Sequence, residues 1–215
     1  MKKLLITNPD HDNITHYLFK WNEGLEKLAQ ERGFQVSHMK TAQVTRKNVI
    51  GFLEKINPEL AILHGHGTSS EIYGYGKDEI LIKEGDNESA LKGKIVHSVA
   101  CSSASELGLA AVEKGCRAFI GFSEKFWLFY SDDMTADPLN DLTARPFMEP
   151  LARLSEGLVK GKSAKRAYQD SQRCFRDWLE VCQKSDAPFE LEGLAPFIAW
   201  DMSNQTFHGD GESKA

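Results

Sequence analysis

No stretch of this chain is long and apolar enough to cross a membrane, and the run Leu4-Leu5-Ile6 is too short for the core of a signal peptide. The expectation is therefore a cytoplasmic protein with no membrane partner. Dense basic runs are missing too. With 26 basic and 31 acidic residues the formal net charge is -5, so binding by phosphate neutralisation, and with it a nucleic-acid partner, is not expected. Cysteine is scarce: Cys101, Cys116, Cys174 and Cys182 include no closely spaced pair of the metal-binding or redox kind. Cys174 and Cys182 fall in one predicted helix, too far apart for a disulfide, so four free thiols are expected in a reducing compartment.

Several chemical signatures are also absent. Gly161-Lys162-Ser163 lies between predicted helices and lacks the upstream glycine and strand of a phosphate loop. There is no Gly-x-Ser-x-Gly elbow and no dinucleotide fingerprint, so neither cofactor nor resident metal is expected. No internal repeat or second core is visible. The chain reads as a single domain over 1–208 with a flexible tail over 209–215. Its 41% hydrophobic and 27% charged residues suffice for one sizeable core.

What is present alternates. Lys3 to Thr7, Phe34 to Ser37, Leu60 to Leu63, Ile95 to Ala100 and Ala118 to Phe122 are short apolar strands. Between them lie helical periodicities, one carrying Tyr17, Leu18, Trp21, Leu25 and Leu28 up to Gly33, with Asp12 or Asn13 as its cap. This βαβ pattern places the chain in the α/β class. From Thr68 to Gly93 it is irregular, with Glu79 to Ile82 as a small hairpin strand or a short rim element, and Tyr73 and Tyr75 either line a cleft or cover the core edge. Leu142 to Leu158 is helical with a break or late start at Pro146 and Pro150, and a long helix runs from Ala164 to Cys182. Phe197 to Phe207 reads as a strand or hairpin.

The chemistry gathers at two strand ends. His64, Gly65, His66 and Gly67 follow one apolar run, and Cys101 follows another. In open α/β sheets sites form beyond the carboxyl ends of the strands. If these strands are neighbours, an imidazole and a thiol face each other across such a site. A helix beginning at Cys101 would favour the thiolate, and the imidazole would protonate a leaving group. The backbone N–H groups of Gly67 and Cys101 suit a developing oxyanion. The competing readings are a buried structural cysteine, or a metal bound by His64, His66 and His97 without an evident third kind of ligand.

Apolar strand, Gly65-His66-Gly67, spacer, apolar strand and Ser98-Val99-Ala100-Cys101 together resemble the caspase-fold (clan CD) cysteine peptidases, most closely the CHAT-domain and gingipain-like members. Gly115-Cys116-Arg117-Ala118-Phe119-Ile120-Gly121 and Gly161 to Ala164 extend the likeness, which covers roughly residues 60 to 180. The resemblance implies a three-layer α/β/α sandwich with a mostly parallel central sheet. It implies a cysteine endopeptidase with His66 as base, Cys101 as nucleophile, no required third residue, and Gly67 and Cys101 as oxyanion donors. Its partners would be a protein or peptide substrate and, for a chain this short, an activating partner or ligand. Relatives directed at basic side chains often carry an acid two residues before the cysteine, where this chain has Val99. His64, Val99, Glu124, Trp127, Asp132 and Asp133 are the residues expected to shape the substrate pocket. That departure also motivates the alternative, a catalytically degenerate binding or scaffold module.

Overall fold

The computed structural model describes residues 2–76 and 78–215. The chain forms β1 (Lys2–Asn8), α1 (Asn13–Trp21), α2 (Glu23–Glu31), β2 (Phe34–Lys40), α3 (Arg46–Lys55) and β3 (Leu60–His64). A small hairpin follows, β4 (Glu71–Tyr73) and β5 (Ile80–Lys83), then β6 (Ile95–Val99), α4 (Glu106–Glu113) and β7 (Ala118–Phe122). Three helices, α5 (Arg145–Val159), α6 (Ala164–Cys182) and α7 (Ala195–Asn204), precede the last strand, β8 (Gln205–Gly209).

The main sheet has the order β2-β1-β3-β6-β7-β8, parallel throughout except for β8, which runs antiparallel to β7. Side-chain alternation builds the layers. Leu5, Ala61, Leu63, Val96 and Phe119 point to one face and pack with Val49 and Leu53 of α3 and Leu107 and Ala111 of α4. Leu4, Ile6, Leu60, Ile62, Ile95 and Ile120 point to the other, against Leu25 of α2, Leu154 and Leu158 of α5, and Ala167 of α6. The result is the expected three-layer α/β/α sandwich with a mostly parallel central sheet. β3 and β7 are buried and apolar through most of their length because helices cover both faces of the sheet, while β6 also buries the polar His97 and Ser98.

Some boundaries differ from the sequence reading. The first helical region is two helices, because Asn22 closes α1 and its side chain donates back to the Leu18 carbonyl at 2.8 Å. Pro146 sits in the first turn of α5, where its missing N–H costs nothing, and Pro150 is accommodated inside the helix. Phe197 to Asn204 is helical rather than extended. Pro196 occupies the first turn of α7, and the chain turns directly into β8. Of residues 209–215, expected as a flexible tail, Gly209 ends β8 and the rest lies against the body: the Ser213 carbonyl accepts from Ala164 N–H at 2.9 Å and Ala215 is buried. Among the described residues no helix is long and apolar enough to cross a membrane.

Candidate active site

The strand order makes β3 and β6 neighbours, with His64 paired to Val99 at their carboxyl ends. Beyond this pair both chains turn sharply. Gly65 donates to the Val99 carbonyl, and a side chain at Gly65 would meet the Tyr73 carbonyl oxygen at 2.2 Å. The hairpin folds over the histidine loop: Tyr73 N–H donates to the His66 carbonyl at 2.9 Å, and Gly67 bridges to Ile72. A side chain at Gly67 would lie 2.8 Å from Ala100 Cβ and 2.9 Å from the Cys101 carbonyl oxygen, so the two loops touch through this glycine. After Cys101 the backbone enters the left-handed region at Ser102, φ 56°, an uncommon conformation for a residue with a side chain. The turn is held by Ser102 N–H donating to the Glu124 carbonyl at 2.9 Å.

His66 and Cys101 line one cavity of about 280 Å³ together with Ile14 and Leu18 of α1, Val99, and the loop Lys125 to Leu128. No hydrogen bond joins the imidazole to the thiol. His66 Nε2 is instead 2.6 Å from Asp12 Oδ2, and the Cys101 thiol donates weakly to the Phe126 carbonyl at 3.9 Å. Burial pushes the Cys101 thiol above its usual value, against smaller opposing effects of the Phe126 backbone and the Lys125 ammonium. The expected helix beginning at Cys101 is not there. α4 starts at Glu106, too far along the chain for its dipole to act directly on the sulfur.

Asp12 is the residue that sequence reasoning treated as a cap alone. It does cap α1: its carboxylate accepts from Thr15 N–H at 2.8 Å, and Thr15 Oγ1 accepts in return from Asp12 N–H. Its second oxygen reaches His66. Burial would raise the Asp12 carboxyl, but the Thr15 N–H and His66 outweigh it and hold the group below the usual carboxylate range. The signal that would have found it is topological. β1 lies beside β3, so the loop after β1 opens on the same rim as the loop after β3.

Of the residues expected to shape a pocket, Val99 and Trp127 line the cavity. His64 does not. It is fully buried behind the strand end, with Nδ1 3.1 Å from the Thr7 carbonyl and 2.7 Å from Asn8 Oδ1. Glu124, Asp132 and Asp133 are exposed and lie outside the cavity lining. The charge beside the cavity is instead Lys125, whose ammonium sits 3.8 Å from the centroid of the Trp127 ring. Tyr73 bonds Glu71, and Tyr75 packs edge-on against His11, so neither lines the cavity.

The Trp127 loop rests on α7. Trp127 N–H donates to Asp201 Oδ1 at 3.0 Å and the Trp127 ring meets Phe197 edge-on. Asp201 is fully buried and its Oδ2 has no hydrogen-bond partner among the described residues. Burial pushes its carboxyl up to about 8, with the Trp127 N–H opposing. His97, in the middle of β6, is held by Ser155 of α5 at 2.9 Å and lies edge-on to His64, with ring centroids 6.4 Å apart. Both rings are desolvated, which pushes each down to about 3. They are core histidines, remote from the metal arrangement considered with His66.

No family model matches this chain, and no curated protein matches it. Solved structures do. One is the crystal structure of the Arg-specific cysteine proteinase gingipain R (RGPB), with a TM-score of 0.60 and 15% identity over 98% of this chain and 46% of that one. A second is the complex of Porphyromonas gingivalis RgpB pro- and mature domains, with a TM-score of 0.56 and 15% identity over 98% of this chain and 47% of the other. The chain thus spans less than half the length of these two structures, and shares their fold.

Proposed function

We propose that the chain is a cysteine peptidase that cleaves peptide bonds through an acyl-enzyme on Cys101. What supports this is that His66 and Cys101 both line one cavity, on the loops that follow adjacent parallel strands. In this reading the sulfur attacks the scissile carbonyl carbon and its proton passes to His66. With Nε2 held by Asp12, the nitrogen available for that transfer is Nδ1, which has no hydrogen-bond partner among the described residues. Asp12 acts as a positioning residue. It fixes the orientation of the ring as the proton arrives.

The oxyanion would be received by the N–H groups of Gly67 and Cys101. Among the described residues neither donates to a carbonyl or to another side chain, which leaves both free to receive developing charge. His66 then gives its proton to the departing amine, leaving a thioester on Cys101. Water, activated by the same imidazole, releases the acid and restores the thiol. The apolar cavity wall of Ile14, Leu18, Val99 and Trp127 would receive a side chain flanking the scissile bond.

A second reading, a binding module without turnover, is favoured by one observation: the resting thiol is bonded to a carbonyl and raised by burial rather than paired with an imidazole. One experiment separates the two. Electrophilic peptides ending in arginine, lysine, asparagine, aspartate or leucine are offered to the wild type, Cys101→Ala and His66→Ala proteins, and adducts are mapped by mass. The peptidase reading requires an adduct on Cys101 that depends on His66 and on the terminal side chain. No adduct with any probe on folded protein, in the presence and absence of candidate activators, supports the binding module.

A further inference from the structure

We propose that His11, Asp12 and His66 form a binding site for zinc, and that the bound ion silences the thiol by occupying the imidazole it needs. One ligand atom from each residue lies within 4.8 Å of the others. His66 Nε2 is 2.6 Å and His11 Nε2 is 3.8 Å from Asp12 Oδ2. Ligand atoms about 2 Å from a tetrahedral zinc ion stand roughly 3.3 Å from one another. Modest rotations of three side chains therefore produce three-quarters of a zinc shell, with water in the fourth position.

The independent observation is His11. Its side chain is 13% exposed, and neither of its ring nitrogens has a hydrogen-bond partner among the described residues. A desolvated imidazole without a partner is costly, and a metal ion satisfies one of its nitrogens directly. Its ring is already packed edge-on against His66 and Tyr75, at 5.7 and 5.6 Å between centroids. The loop presenting it is tied by hydrogen bonds. Thr15 Oγ1 accepts from both His11 N–H and Asp12 N–H, and Asp10 bonds His16 at 2.8 Å rather than joining the cluster. Two imidazoles and one carboxylate match the ligand preferences of zinc and disfavour calcium or magnesium, which require more oxygen ligands.

Occupation has a direct chemical consequence. Zinc takes the electron pair of His66 Nε2 and the Asp12 oxygen that now orients the ring. The neutral ring then carries its proton on Nδ1, so it can no longer accept one there from Cys101. The binding site stands on its own geometry, whereas the silencing rests on the peptidase reading.

The test uses the full chain with zinc and cobalt as probes. The wild type should bind one cobalt ion with the visible bands of a nitrogen- and oxygen-ligated site, and zinc should displace it. His11→Ala should weaken binding at least tenfold, His11→Phe, which retains the ring packing, should do the same, and Cys101→Ala should leave it unchanged. Zinc should slow labelling of Cys101 by a peptide electrophile in the wild type and not in the His11 variants. Equal affinity in wild type and both His11 variants overturns the site, as does a thiolate-to-cobalt band lost in Cys101→Ala. His11-dependent binding with a thiol inert even without zinc retains the site and rejects the peptidase reading instead.

Discussion

The imidazole of His66 is hydrogen-bonded at 2.6 Å to the carboxylate of Asp12, while the thiol of Cys101, in the same cavity, faces the carbonyl of Phe126. One acid therefore does two things. It closes the first turn of α1 and orients the ring across the rim from the sulfur.

These two roles separate by substitution. Asn caps a helix as well as Asp does, so Asp12→Asn should leave thermal stability nearly unchanged, whereas Asp12→Ala should cost about 1 kcal/mol. Both should slow labelling of Cys101 by about 10- to 100-fold, the size expected when a proton-transfer group loses its orientation. Labelling rates beside a thermal melt decide it; a normal rate in Asp12→Asn removes Asp12 from the chemistry.

Gly67 offers a test of the contact between the two loops. A methyl group there would stand 2.8 Å from Ala100 Cβ and 2.9 Å from the Cys101 carbonyl oxygen, neither of them at the end of a flexible side chain. Gly67→Ala should destabilise the protein by about 1 to 3 kcal/mol and displace the cysteine loop. Gly51, with open space around it, is the control, and Gly51→Ala in the middle of α3 should be neutral or stabilising. Urea unfolding of the two variants gives the comparison.

The buried histidine pair sets an acid limit. His64 and His97 stay neutral in the fold, with values pushed down to about 3, while in the unfolded chain they ionise near the ordinary 6.5. Their neutral burial is therefore fully supported above pH 6.5, and that support is lost as pH falls toward 3. Each should remove roughly 1 kcal/mol per pH unit over this window. Unfolding free energy measured from pH 7.5 to 4.5 should fall steeply, and His97→Phe should flatten the slope. An unaltered slope in that variant would assign the acid sensitivity elsewhere.

Asp201 acts in the opposite direction. Its carboxyl is raised from 3.8 to about 8, so folding favours the protonated form and stability declines as pH rises between those values. The cost is on the order of 1.4 kcal/mol per pH unit. Asp201→Asn preserves an acceptor for Trp127 N–H and removes the charge. It should leave stability unchanged near pH 4 and increase it at pH 7.5, as read by thermal melts at the two values. A destabilised variant at both would mean that a negative charge is required behind the Trp127 loop.

Much of this was legible beforehand. The strands over residues 3–7, 34–37, 60–63, 95–100 and 118–122 and the helix Ala164–Cys182 are read directly from the alternation of apolar runs and helical spacing. The carboxyl-end rule placed the loops after β3 and β6 on one rim, which is where the cavity lies. Helix boundaries near Asn22 and Phe197 were less legible. There the decision belongs to one side-chain bond to a backbone carbonyl and to the packing of α7 under the Trp127 loop. Glu124, Asp132 and Asp133 carry charge whose position in space no local pattern encodes.

The sequence by itself determined the five parallel strands and most of the helices, α7 and the α1–α2 break excepted, because apolar periodicity and turn residues act over a few neighbours. It also determined that a histidine and a cysteine leave two strands at their carboxyl ends. Only the tertiary structure decided what each of them touches. Strand order brought the Asp12 loop beside His66, α7 and the Trp127 loop walled in Cys101, and His64 went into the core. Those outcomes depend on which elements pack side by side, and a hydrogen-bond partner or a desolvated charge exists only once they have done so.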